Sequence, residues 1–135
     1  MNFDADQKYF VNKSRITLYI ETSIANFMKK IFFCEENEID KNKYIVKWID
    51  DFRDEIIIFK DKQKKLKAFS SICPHFGGEL IYEKKRSQIK CKWHNWKYDE
   101  NTGKCLTHPI PLKLKEYNIE IGGGLGPLAS KIWRI

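Results

Sequence analysis

Histidine and cysteine are scarce in this chain of 135 residues, with three His and four Cys. Any metal or redox chemistry carried by soft or imidazole donors must be built from those seven side chains. Long apolar runs are missing as well. None approaches the roughly 20 residues that span a bilayer, so no transmembrane helix is expected. The first residues, Met1 to Asp6, offer neither a basic segment nor an apolar one, which argues against a secretory signal and for a reducing, cytoplasmic compartment. What is present is a globular composition, 42% hydrophobic and 14% aromatic, in a length that suits one domain of ordinary size. The formal net charge of +7 raises nucleic acid as a partner. The lysines are nevertheless spread along the chain, without a recognisable nucleic-acid module, so no nucleic-acid partner is expected. The run Gly122 to Pro127 lacks the Lys-Ser/Thr of a phosphate-binding loop and reads as a turn.

The positions of the few donors are more telling than their number. Cys73-Pro74-His75 is a C-x-H element and Cys91-Lys92-Trp93-His94 is a C-x-x-H element, with Phe76 to Lys90 between them. In a reducing compartment such spacing points to metal rather than to disulfides. Two thiolates and two imidazoles can complete one tetrahedral shell or serve two metals. Zinc sites usually draw both thiols of a C-x2–4-C knuckle around one ion. Here each short element mixes one Cys with one His, which suits a two-iron cluster with one thiolate and one imidazole from each loop. Gly77-Gly78 would allow close backbone approach, Pro74 would stiffen the loop, and Trp96 could seal the site. A structural zinc module remains the alternative.

At these residues the sequence resembles the Rieske family of [2Fe-2S] proteins, over about Tyr44 to Ile121. The text Cys73-Pro74-His75-Phe76-Gly77-Gly78-Glu79-Leu80 carries the resemblance, with His94-Asn95-Trp96-Lys97-Tyr98-Asp99 and Thr102-Gly103-Lys104-Cys105. The resemblance implies a [2Fe-2S] cluster with Cys73 and Cys91 on a buried iron. It puts His75 and His94 on the outer iron through Nδ1, with Nε2 towards solvent. It also implies an all-β, antiparallel sandwich with the ligands on two hairpin loops. Respiratory members carry a further cysteine in each loop. Gly78 and Trp93 hold those positions here, so the chain is similar to the ferredoxin and oxygenase branch. That branch tends to lack hydroxyl donors to the cluster, which implies a potential near the low end of the roughly −150 to +300 mV Rieske range. Asn95 departs from the usual His-Gly-Trp, and His-Asn-Trp-Lys is similar to sugar-nucleotide hydroxylases of the CMP-N-acetylneuraminate type.

An oxygenase would also need a mononuclear iron, typically held by two His and a carboxylate. Only His108 is left over, and one His cannot build that site. The expected role is a one-electron carrier between a reductase and an oxygenase or hydroxylase, or a Rieske domain within a larger hydroxylase. Lys90, Lys92 and Lys97 bracket the second ligand pair and could steer an acidic partner. His108 reads as a loop residue before Pro109, in a proline-containing segment that matches the one covering the cluster in relatives.

The rest of the chain divides into an extension over residues 1–42, the Rieske domain over 43–121 and a Gly-rich tail over 122–135. Strands are expected at Arg15–Glu21, Lys43–Trp48, Glu55–Lys60, Leu66–Ser71, Ser87–Cys91, Lys97–Asp99 and Tyr117–Ile121. Asp61–Lys65 and Asp99–Gly103 read as turns. Ile24, Phe27, Met28, Ile31 and Phe32 follow the stripe of an amphipathic helix, which Thr22 or Ser23 could cap.

Overall fold

A computed structural model describes residues 15–21 and 28–122. In chain order its elements are β1 (Arg15–Glu21), β2 (Met28–Glu35), α1 (Glu36–Asn42), β3 (Tyr44–Ile49), β4 (Asp54–Lys60), β5 (Leu66–Ser70), β6 (Leu80–Glu83), β7 (Gln88–Cys91), β8 (Lys97–Asp99) and β9 (Asn118–Gly122). Single 3₁₀ turns follow β3 and β6. The strands form three antiparallel sheets of three, ordered β2-β1-β9, β3-β4-β5 and β6-β7-β8. The chain divides into two compact units, residues 39–117 and residues 1–38 with 118–135.

The larger unit is a sandwich with a shared core. β4 is the centre of its sheet, and Ile56, Ile57, Ile58 and Phe59 are all fully buried. Each such side chain contributes roughly 1.5–3 kcal/mol by leaving water. Ile57, Phe59 and Phe69 meet Leu80, Tyr82, Ile89 and Tyr98 of the second sheet in one cluster, which also holds Cys73 and Cys91. Phe59 and Tyr82 stack with centroids 4.0 Å apart, joining the two sheets. The turn after β4 is fixed by Asp61, whose carboxylate accepts the backbone N–H groups of Gln63 and Lys65 at 2.8 and 2.9 Å. Asp99 holds the turn after β8 in the same way, accepting from Asn101 and Thr102.

Residues Met28, Ile31 and Phe32, expected on a helix, lie in β2. The strand carries a bulge: Ile16 pairs with Cys34 and Thr17 with Phe32, so Phe33 is an extra residue in the ladder. The apolar run Ile31 to Cys34 does not alternate, so β2 lacks the period-2 pattern that marks a strand. The Lys30 side chain of β2 is almost wholly buried, and its ammonium meets Glu120 of β9 at 2.6 Å. Ile24, Phe27 and both cap candidates lie outside the described residues, as does the tail beyond Gly122.

The helix that exists, α1, begins one residue after β2 ends. Glu38 reaches back to the Glu35 N–H at 2.9 Å, and Glu36 and Glu38 favour the positive end of the helix. Lys43 closes it in the left-handed region at φ 73°, donating its N–H to Ile39 at 2.7 Å. Ile39 is its one buried residue, so it carries no apolar stripe that periodicity could detect.

Candidate metal centre

Both loops that hold the C-x-H and C-x-x-H elements sit at one end of the β6-β7-β8 sheet. The first leaves β5 and enters β6, closed by a bridge between Ile72 and Glu79. The second joins β7 to β8. Leu80 and Cys91 are register partners, and Lys92 donates its N–H to the Glu79 carbonyl at 3.0 Å. The loops are therefore tied to one another directly.

They also share one backbone design. Cys73 N–H donates to the carbonyl of Gly78, and Cys91 N–H to that of Trp96, each five residues on. Gly77 N–H returns to the Cys73 carbonyl, and Asn95 N–H to that of Cys91, each from four residues on. This geometry puts Gly77 and Asn95 in the left-handed region, at φ 74° and 57°. Asn is among the non-glycine residues that best tolerate that region. The departure at Asn95 thus preserves the turn it interrupts.

Within this frame the donor atoms of Cys73, His75 and Cys91 lie within 4.8 Å of one another. His75 Nδ1 faces Cys73 Sγ at 2.5 Å. His94 stands outside that trio on the exposed side, its ring edge-on to His75 with centroids 5.4 Å apart. Cys34 is buried in β2 and Cys105 lies beyond β8, and neither joins the trio. No disulfide joins any of the four cysteines. A Cβ at Gly78 would come within 3.2 Å of the Trp93 ring. The loops therefore meet where respiratory relatives have their extra cysteines, and here an indole packs on a glycine.

The surroundings correct two expectations. A hydroxyl does stand beside a ligand sulfur, because Tyr98 Oη lies 3.1 Å from Cys73 Sγ in the core. Tyr98 was legible only through the alternation of β8, which turns it inward between Lys97 and Asp99. The two imidazoles are also unequal. His75 Nε2 is out of contact with solvent and has no hydrogen-bond partner among the described residues. Its ring lies parallel to Trp96, with centroids 3.8 Å apart and planes 9° from parallel.

The two donors in contact are shifted in opposite directions, and of the two only the His75 shift favours a metal donor. Burial pushes the Cys73 thiol up, against the opposing pull of the Tyr98 hydroxyl and the His75 backbone N–H. Burial, followed by the neighbouring His94 and His108, holds His75 below the ordinary imidazole range. A low imidazole pKa leaves the ring neutral and able to donate its lone pair. The donor set, the inward thiols and the glycine cradle beside Cys91 Sγ fit a [2Fe-2S] cluster.

Comparison with known proteins agrees with a [2Fe-2S] cofactor. The sequence is 34% identical over 73 residues to the cytochrome b6-f complex iron-sulfur subunit of Chlorobaculum tepidum, spanning 54% of this chain and 40% of that protein. It is 35% identical over 75 residues to cytidine monophosphate-N-acetylneuraminic acid hydroxylase of Cricetulus griseus, spanning 53% of this chain and 13% of the hydroxylase. The chain thus covers less than half of either relative. The fold is similar to the cyanobacterial plasma membrane Rieske protein PetC3 from Synechocystis PCC 6803, with a TM-score of 0.54 at 15% identity, covering 64% of this chain and 93% of that one. Residues 29–118 match the family described as the Rieske [2Fe-2S] domain, a match that begins upstream of Tyr44 and takes in β2 and α1. With that match over most of its length and the paired ligand loops at one sheet end, the chain belongs to the Rieske [2Fe-2S] family.

Proposed function

We propose that the chain is a one-electron carrier that delivers electrons to an oxygenase or hydroxylase, with Cys73 and Cys91 holding the inner iron and His75 and His94 the outer. The observation that carries this reading is the convergence of Cys73, His75 and Cys91 on one point between two cross-tied loops, with His94 beside them. When bound, a [2Fe-2S] cluster accepts and returns one electron. The chain's own part is to anchor it through buried thiols and to present the exposed His94 edge to a partner. The leftover His108 leaves no second site for a mononuclear iron. A cytoplasmic setting belongs to the same reading. Purified protein should show the visible absorption and reduced-state EPR of a Rieske cluster; a colourless, zinc-loaded sample sinks the proposal.

The match to cytidine monophosphate-N-acetylneuraminic acid hydroxylase favours a second reading as the Rieske portion of a larger hydroxylase system. A stable complex with a subunit carrying the catalytic iron distinguishes it from a free carrier.

Tyr98 bears on the potential. A hydroxyl that donates to a ligand thiolate stabilises the reduced, more negative cluster. Tyr98→Phe is expected to lower the midpoint by on the order of 50 mV, the one-electron equivalent of about 1 kcal/mol of hydrogen bonding. A redox titration of the two proteins checks this, and an unchanged midpoint would show that the hydroxyl donates elsewhere.

Steering by charge is weaker than the sequence implies. Lys90 pairs with Glu83 and Lys92 with Glu79, each at 3.4 Å, so two of the three rim lysines face a carboxylate. The loop tips expose Phe76 and Trp93 instead, at 66% and 64%. Electron transfer to the acceptor should therefore vary by less than roughly tenfold across the usual salt range, the lower bound of strong steering. Stopped-flow rates at several ionic strengths decide it, and a steeper fall restores the lysines as the guide.

A further inference from the structure

We propose that the end of the larger unit away from the ligand loops is a basic surface that binds anionic lipid head groups. Its cations come from two turns. Lys62, Lys64 and Lys65 stand on the turn between β4 and β5, and Lys84, Lys85 and Arg86 on the 3₁₀ turn between β6 and β7. All six are exposed. Glu100 joins the two turns, accepting the Lys62 N–H at 3.2 Å and the Tyr82 hydroxyl at 2.8 Å. Strand register fixes which end this is. Leu80 pairs with Cys91 beside the ligand loops, and Glu83 pairs with Gln88 at the far end of the same two strands.

Charge here is one-sided because the acids are taken up by the fold. Asp61 and Glu100 are buried, and the Asp61 carboxylate is occupied by the backbone N–H groups of Gln63 and Lys65. Asp99 accepts from Asn101 and Thr102. Glu83 attracts Arg86 at longer range, but its oxygens are held by Gln88 and Lys90. None of the six cations forms a salt bridge among the described residues.

The patch lacks what other partners use. Protein interfaces concentrate aromatic residues and deplete lysine, and single-stranded nucleic acid stacks on aromatic rings. No large hydrophobic side chain is exposed on either turn. Five of the six cations are lysines, hydrated point charges rather than bidentate forks. Two turn tips bearing such charges suit a plane of lipid head groups. A chain held there presents its ligand loops away from the bilayer, towards a water-borne partner.

Cosedimentation of the full chain tests this, with vesicles of phosphatidylcholine alone and with about one third phosphatidylserine added. Each cation near an anionic leaflet is worth roughly fivefold in partitioning. The parent should bind only the phosphatidylserine vesicles, and less as salt rises. The double variants Lys64→Gln with Lys65→Gln, and Lys84→Gln with Lys85→Gln, should each bind about 25-fold more weakly, two such steps. Lys92→Gln with Lys97→Gln removes the same charge at the ligand loops and should bind as the parent does. Thermal unfolding midpoints equal to the parent's show that the variants are folded. A parent that does not bind phosphatidylserine vesicles overturns the proposal, as does an equal loss in the Lys92 and Lys97 variant. Tighter capture by duplex DNA or polyglutamate than by the vesicles overturns it too. Every reading is independent of the cluster.

Discussion

Replacing Cys73 with Ser is expected to abolish the visible chromophore and to destabilise the larger unit together. Cys73 is only 1% exposed and lies in the same hydrophobic cluster as Ile57, Phe59, Leu80 and Tyr98. Its Sγ meets His75 Nδ1 and the Tyr98 hydroxyl, so one atom serves the donor set and the core. Serine is a poor ligand for a soft iron-sulfur centre. It also buries a hydroxyl where a thiol packed as a small hydrophobe, at a cost of about 1–3 kcal/mol unless Tyr98 or His75 satisfies it. Metal binding adds to this, because a group that binds the folded chain stabilises it by mass action. The variant should be colourless, with iron near zero per chain, and its urea midpoint should fall clearly below the parent's. Cys105→Ser is the control. Cys105 is half-buried and outside the donor trio, so it should keep colour and iron. A brown Cys73→Ser protein with full iron would require another residue in its place.

What the sequence made legible was what short spacing and local propensity encode. The convergence of Cys73, His75 and Cys91, the two turns at Asp61 and Asp99, and the strands from Tyr44 onward other than β6 follow from motif, turn residues and β-branched runs. Strand ends moved by a residue, as at Lys43, which belongs to the end of α1 because only the folded backbone reveals its left-handed φ. β6 went unread because Leu80 to Glu83 is four residues long and abuts the first ligand text. β2 was hidden by its unalternating apolar run from Ile31 to Cys34, and α1 by having a single buried residue. At the site, the missing part was everything that depends on the approach of distant segments. Tyr98 reaches Cys73 across 25 positions, and Trp96 reaches His75 across 21. Neither pairing has a local signature, and the burial of His75 Nε2 has none at all.

Gly78 makes the same point at a position where the sequence suggested the right reason in general terms. Its neighbour Gly77 has φ 74° and open space where a Cβ would go. Gly77→Ala therefore meets only a conformational penalty of roughly 1–2 kcal/mol, and the protein should keep its cluster. Gly78 is the opposite case, with no left-handed backbone to strain. A Cβ there would lie 2.8 Å from Cys91 Sγ and 3.2 Å from Cγ and Cδ2 of Trp93. The thiol cannot yield cheaply. Cys91 ends β7, pairs with Leu80 in the ladder, and is held by its N–H to the Trp96 carbonyl. Moving its Sγ by the several tenths of an ångström needed for contact displaces a donor that must stay aligned with His75 and Cys73. Trp93, at the exposed tip, can swing away, but that does not relieve the sulfur. Gly78→Ala should therefore lose most of its cluster, with iron per chain reduced roughly tenfold or more, in line with the roughly 10- to 100-fold cost of disturbing a ligand's immediate support. Parallel iron and visible-absorption assays of the two alanine variants separate steric from conformational cost. The order Gly78→Ala far below Gly77→Ala is expected because the first glycine is needed for what its neighbour lacks, a sulfur atom within reach of a methyl group.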